Sequence, residues 1–389
     1  MYAGDRPILD GTLLLVHGSA DPGGTELQTL RLARFLRDRG VTVASLFDCA
    51  PGPILDRYRQ EGFRIHHTGG RLYPDRATRE WVAQVSPDAI YLFGLRTNVR
   101  WRLWSRRICP SASVWGAIRG LTNTARVRWR RMLLDRATLG FLDGYVSNSR
   151  YVIGRLVRWG FPPAKLHFVR NFVEFGGQGT RPGPVFVERR IGSGPALELP
   201  SDVPVLTYVA NVRPVKGHRL LTPVLQLLKA RGLAFRCLLV GALPAGDTVL
   251  NEFQRAGLEE HVFFAGFRDD ARAILAGSDL LVFPSLMEGC PNAILEAMHA
   301  GLPIVASPWG EQRYLVEEGL GGFLADPRQP GEFADRIAQL LADRELRVRL
   351  GDHNRRRVGE LFDRSSVEAE NLALVERMLR RPALTSSQA

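Results

Sequence analysis

Apolar runs of five to eight residues alternate with amphipathic stretches along this chain, and the alternation occurs twice. The first series is TLLLVH (12–17), VTVASLF (41–47), AIYLF (89–93), ASVWGAI (112–118) and GYVSN (144–148). The second is VPVLTYVA (203–210), FRCLLVG (235–241), HVFFAG (261–266), DLLVFP (279–284) and PIVAS (303–307). Residues at helical spacing, such as Leu27, Leu30, Ala33 and Leu36, fall between the runs. Strands separated by helices pair in parallel and are covered on both faces, so each series predicts one doubly wound α/β domain. Residues 176–202 are dense in Gly and Pro and lack periodicity, which predicts a linker. The expected layout is an N-terminal Rossmann-like domain over 1–175 and a second over 203–361, with a tail at 381–389. A length of 389 residues agrees, since one core rarely grows past ~250–300. Such sheets bind ligands beyond the carboxyl ends of their strands, so the two domains are expected to face each other across a binding cleft.

Composition narrows the setting. No apolar window reaches the ~18 residues of a spanning helix. The segment MYAGDRPILDGTLLLVHG lacks a basic start, so no signal peptide is expected. Cys49, Cys109, Cys237 and Cys290 are scattered without a CxxC, which argues against a zinc site and a disulfide framework. The expectation is a cytoplasmic protein. The net charge of +12 is unevenly placed: residues 96–136 hold eleven arginines against one acid, Asp135. Trp101, Trp104, Trp115 and Trp129 are interleaved with them. In VRWRLWSRR, Trp101, Trp104 and Ile108 recur at helical spacing among Arg100, Arg102, Arg106 and Arg107. That basic amphipathic pattern suits an anionic membrane surface, with the protein peripheral on the inner face. An ordinary solvated surface would look the same in a chain with 49 arginines and three lysines. No nucleic-acid-binding module is recognisable, and nucleic acid is not an expected partner.

The most pointed chemistry lies in EGCPNAILE, Glu288 to Glu296, between the run DLLVFP and a helical pattern. Gly289, Cys290, Pro291 and Asn292 follow the first carboxylate. Pro291 suits a first helical position, and the free N–H groups of that turn would favour a diphosphate. Fully helical spacing would set the glutamates about 12 Å apart. One carboxylate could then hold a sugar and the other a ribose, at opposite ends of a nucleotide diphosphate. VANVRPVKGH (209–218) ends the first strand of the second series, placing Arg213 and Lys216 where they could neutralise a leaving diphosphate. In the first domain, Gly23 and Gly24 permit close backbone approach. Thr25 and Gln28 make a T-x-x-Q capping box there. His17 ends the first strand, as a structural residue more often than a functional one.

The stretch PSLMEGCPNAILEAMHAGLPIVAS, Pro284 to Ser307, resembles the retaining GT-B glycosyltransferases of family 4, which carry E-x7-E after Pro-Ser and then A-x-G-x-P-[VI]-[VI]-A. The resemblance covers nearly the whole chain and is strongest over residues 205–325. It implies that Glu288 sits by the donor sugar and Glu296 binds the ribose. Lys216 carries over directly onto the family's G-R-L-x-x-x-K-G. Asn211 stands where that motif has arginine, and Arg213 carries over only if its side chain reaches the same phosphate. Arg119-Gly120 stands where many members have His-Gly, so Arg119 could contact sugar or phosphate. Gly266, with Arg268, Asp269 and Asp270 after it, would lie near the nucleotide base, and Gly310 and Glu311 would line the cleft. Residues 362–380 would form a helix packing back on the N-terminal domain.

The resemblance implies transfer of a sugar from a UDP- or GDP-sugar to an acceptor hydroxyl, with retention and without a required metal or further cofactor. The partners would be the nucleotide-sugar donor and a glycan or lipid-linked acceptor, in cell-surface polysaccharide or lipid-linked glycan assembly. A nucleotide-sugar epimerase, or a non-catalytic basic membrane-binding protein on this scaffold, are the alternatives on the same architecture.

Overall fold

The computed structural model describes residues 9–71, 73–120, 133–173, 186–187, 197–198 and 203–380. The chain divides into two compact units, Met1–Phe172 with Arg364–Ala389, and Val173–Asp363. Most of the linker expected at 176–202 and the tail at 381–389 lie outside the described residues.

The first unit is a seven-stranded sheet of order β3-β2-β1-β4-β5-β6-β7. Its strands are β1 (Thr12–His17), β2 (Thr42–Phe47), β3 (Arg64–His67), β4 (Ala89–Phe93), β5 (Ser113–Ala117), β6 (Gly144–Ser147) and β7 (Leu166–Phe168). Every pairing is parallel. The inner strands are buried on both faces, which is why they read as unbroken apolar runs. The helix Arg364–Leu379 completes this unit's core with Leu374, Val375 and Met378. It is fixed at its edges by ion pairs of Glu368 with Arg39 (2.9 Å) and Glu370 with Arg170 (2.5 Å). Ser113 also donates to the carbonyl of Met378.

In the second unit, the two-residue strands β8 (Phe186–Val187) and β9 (Leu197–Glu198) pair with each other. The main sheet has six parallel strands of order β12-β11-β10-β13-β14-β15. They are β10 (Val205–Val209), β11 (Arg236–Val240), β12 (Val262–Gly266), β13 (Leu280–Phe283), β14 (Ile304–Ala306) and β15 (Gly322–Leu324). Strand order reverses between β10 and β13, because successive crossovers run first to one side of β10 and then to the other. At such a switch point the two following loops separate, leaving a crevice at the carboxyl ends of the strands.

Helix Leu95–Ile108 corrects the expected basic surface. Trp101 and Arg102 are both buried, and so is Trp115 in β5. Arg102 pairs with Asp135 at 2.6 Å, Arg106 with Asp143 at 2.7 Å, and Arg100 with Asp48. Three of the four arginines are therefore committed to carboxylates within the fold. Arg107 remains exposed, over the Trp104 ring. Trp129 and the arginines at 126, 128, 130 and 131 lie outside the described residues.

Candidate functional site

The loops after β10 and β13 meet at the switch point of the second sheet. The first carries Lys216 at the end of a single 3-10 turn, Pro214–Lys216, and the second carries Glu288. Lys216 Nζ donates to Glu288 Oε1 at 2.5 Å, and Ser285 Oγ donates to the same oxygen at 2.6 Å. Both groups are partly screened from water, with 24% of the lysine side chain and 12% of the glutamate side chain exposed. A cation and an anion thus share one edge of the crevice, each in reach of an incoming ligand.

The backbone beneath the pair is over-determined. Leu286 N–H donates to Val215 O (2.8 Å), stitching the two loops together. The buried Tyr208 hydroxyl donates to Lys216 O at 2.6 Å. Burial, and then the Glu288 charge, raises that hydroxyl's pKa well above its ordinary value, so it stays a donor. Gly217 takes φ +70°, and a Cβ there would stand 2.5 Å from Pro284 O, so only glycine lets the lysine loop close on the glutamate loop. Behind Glu288, Ser307 Oγ and Gln312 Nε2 (3.2 Å) both donate to Ser285 O. A Cβ on Gly310 would come within 2.8 Å of the Glu288 backbone nitrogen, and φ there is +83°. Ser285, Ser307, Gln312 and Tyr208 carry no charge and no motif spacing, and sequence reasoning missed them. The only signal was the Pro-Ser at 284–285.

Glu296 lies half-buried on the helix Asn292–Ala300. Pro291 is its N-cap with extended backbone, not its first helical residue, so the helix begins at Asn292. Residues 288–291, including Gly289 and Cys290, are non-helical, and the spacing of about 12 Å for a continuous helix does not apply. Arg213 is the exposed N-cap of the Pro214–Lys216 turn and forms no ion pair with any described residue. Asn211 has a structural task, its Oδ1 accepting the Ala242 N–H at 2.8 Å to brace the loops after β10 and β11. Gly266 ends β12, and its carbonyl accepts the Gly241 N–H at 2.8 Å. Arg268 pairs with Asp270 at 2.7 Å, and Glu311 is buried.

In the first unit, Gly23 is the N-cap of the helix Gly24–Arg37, with φ −150° that any residue could adopt. The expected capping box does not form. Thr25 lies inside the helix, and Gln28 Nε2 instead donates to Phe172 O at 2.8 Å. Arg119, after β5, donates from Nη1 to Asn171 Oδ1 at 2.7 Å. No disulfide joins any of the four cysteines. Among the described residues, no group of three or more His, Cys, Asp or Glu side chains is set to hold a metal ion. No described helix is long and apolar enough to cross a membrane.

Two buried histidines are core residues. His17 stacks on Phe47 at 4.5 Å, and burial lowers its pKa to about 3. His218 packs on Tyr208 at 4.6 Å, and burial lowers its pKa to about 4. Both rings are neutral in the folded protein near pH 7, whereas the unfolded chain takes up their protons near pH 6.5. Below that pH the unfolded state binds more protons, so stability falls as pH drops, until the folded-state values are passed. From pH 7 to pH 5, each ring is expected to cost its own unit about 2 kcal/mol. Urea-unfolding midpoints across that range read the effect, and a flat profile would mean that the rings titrate in the fold as they do in the unfolded chain.

Comparison with known proteins bears on the family and the fold. The sequence model of "Glycosyltransferase Family 4" matches residues 22–175, and that of "Glycosyl transferases group 1" matches residues 203–343. The putative colanic acid biosynthesis glycosyltransferase WcaL of Salmonella typhimurium is 28% identical over 57% of this chain and 54% of its own. The lipopolysaccharide core biosynthesis glycosyltransferase LpsE of Rhizobium meliloti is 29% identical over 46% of this chain and 52% of its own. The chain thus spans about half the length of the curated relatives it matches. Anabaena Alr3699/HepE, solved in complex with UDP and glucose, superposes with a TM-score of 0.76 at 21% identity, over 95% of this chain and 99% of its own. A sucrose-phosphate synthase from Thermosynechococcus elongatus gives 0.73 at 18% identity, over 95% and 99%. At these identities the likeness is one of fold, the two-sheet GT-B architecture. With one family model matched in each half, the chain belongs to the group 1 glycosyltransferases of family 4.

Proposed function

We propose that this chain transfers a sugar from a nucleoside diphosphate donor to an acceptor hydroxyl, with retention of anomeric configuration and no metal. The observation that carries the proposal is Lys216 and Glu288 held together at the switch point of the second sheet. A phosphate–sugar bond breaks when negative charge on the departing diphosphate is stabilised, and a fixed cation supplies that in place of a metal. Lys216 would turn from Glu288 toward the diphosphate. The glutamate Oε2, which takes neither of the bonds made to Oε1, would accept a hydroxyl of the donor sugar. Glu296, further along the same segment, would hold the ribose. Retention follows the family precedent of front-face attack, in which the leaving phosphate takes the acceptor proton and no protein nucleophile is needed.

The curated relatives act in colanic acid and lipopolysaccharide core biosynthesis, by their names. That supports a role in cell-surface polysaccharide or lipid-linked glycan assembly. The UDP and UDP-glucose complexes of Alr3699/HepE make uridine nucleotides the first donors to try. Donor binding by calorimetry with UDP- and GDP-sugars tests the reading. Glu296→Ala is expected to weaken nucleotide affinity by about 1.5–3 kcal/mol, the range for hydrogen bonds to a charged group. Unchanged affinity would remove Glu296 from the site. Incubation with donor alone against donor plus acceptor separates transfer from epimerisation, since an epimerase needs no acceptor.

A further inference from the structure

We propose that Arg119 is an anion-recognition residue, and that one substrate of this chain carries an acidic sugar substituent, a carboxylate or a phosphate. The inference rests on the reading of the chain as a sugar transferase and names the substrate class that reading leaves open.

Arg119, Asn148 and Asn171 follow β5, β6 and β7, at the carboxyl edge of the first sheet where ligands of such folds bind. Asn171 Oδ1 accepts from Arg119 Nη1 (2.7 Å) and from Asn148 Nδ2 (2.9 Å), fixing both side chains. The guanidinium lies over the Phe93 ring, 5.9 Å from its centroid. Its charge, and a hydrogen bond to the tyrosine oxygen, partly offset the rise that burial gives the Tyr91 hydroxyl pKa. Every neighbour that holds it is neutral, and Arg119 pairs with no carboxylate among the described residues. That sets it apart from Arg100, Arg102 and Arg106 of the same unit, each of which has an aspartate.

Two further atoms are left over. Arg119 Nε and Asn148 Oδ1 are buried and meet no hydrogen-bond partner. A partly buried cation without a counter-charge is costly, and so is a buried polar atom without a partner. The leftover groups are complementary to one kind of ligand. The guanidinium needs an oxyanion, and the amide oxygen needs a hydroxyl or amide proton beside it. A sugar bearing a carboxylate or phosphate offers both on one rigid ring, and guanidinium binds either oxyanion through paired hydrogen bonds.

The test uses the full chain and matched ligand pairs. In the donor arm, UDP-glucuronic acid is compared with UDP-glucose, and GDP-mannuronic acid with GDP-mannose, by calorimetry. In the acceptor arm, methyl glucuronide and methyl glucoside 6-phosphate are compared with methyl glucoside by saturation-transfer NMR. The acidic member is expected to bind roughly tenfold or more tightly in one arm, and that arm names the source. Arg119→Gln should bring the ratio close to one, while Arg119→Lys keeps part of it. A residue that only braced the loops would move both members of a pair alike. Equal affinities in both arms, no acidic ligand bound, or a preference that survives Arg119→Gln would overturn the proposal. Binding is read apart from turnover, so acidic preference without sugar transfer would refute the transferase reading and leave only Arg119 as an anion contact.

Discussion

Replacing Lys216 with alanine is expected to lower kcat by roughly 10²-fold or more, the usual loss when one preorganised electrostatic group is removed. The effect should fall on turnover more than on donor KM, because charge on the diphosphate grows as the sugar–phosphate bond breaks. The ion pair adds a second expectation. Without the lysine, the Glu288 carboxylate, 12% exposed, keeps only Ser285 as a donor, so the single variant also disturbs the glutamate. Losses in Lys216→Ala and Glu288→Ala should therefore fall short of additivity in the double variant. Arg213→Ala should cost less than Lys216→Ala, since Arg213 is exposed and stands at the opposite end of the short turn. Steady-state kinetics on the three single variants and the double variant decide the matter. A wild-type rate for Lys216→Ala would take that residue out of the mechanism, and full additivity would mean the pair does not act as a unit.

Most strands were legible because both faces of an inner parallel strand are buried, and sequence records that as a continuous apolar run. Within the two main sheets, the three strands that left no such record, Arg64–His67, Leu166–Phe168 and Gly322–Leu324, are all edges. An edge strand pairs on one side only, and RIHH is half-buried at best. The candidate site was legible where charge stands out, at Lys216 and Glu288, which the fold brings together. The uncharged supports were not, because Ser285, Ser307 and Gln312 act through backbone placement and have no characteristic spacing. Helix boundaries were the weaker part. Pro291 fits both the N-cap and the position after it, and T-x-x-Q at 25–28 marks a cap only when the helix starts there. In the fold, Gly23 starts the helix and releases Gln28 to hold Phe172.

The arginine-rich segment is where pattern and structure differ most, and it carries the largest expected effect on stability. Arg102 and Asp135 are both fully buried, 2.6 Å apart. Arg102 also donates to Asn98 Oδ1 (2.8 Å), Asp135 O (3.0 Å) and Thr138 Oγ1 (3.0 Å), while Tyr145 donates to Asp135 Oδ2 (2.9 Å). A helical wheel places Arg102 among solvated charges. The fold instead uses it to tie the helix Leu95–Ile108 to the segment around Asp135 and to β6. Asp135→Ala leaves that guanidinium uncompensated in the interior, and is expected to cost about 3–5 kcal/mol. For a unit of this size the melting temperature should fall on the order of 10 °C. Changing both partners together, Arg102→Met with Asp135→Leu, removes the two desolvated charges at once and should recover most of the loss. Thermal and urea unfolding of the single and double variants separate the cases. A loss under about 1 kcal/mol in Asp135→Ala would mean that the guanidinium reaches water, since an exposed pair contributes no more than that. In that case the helix would regain the outward charge that its sequence suggests.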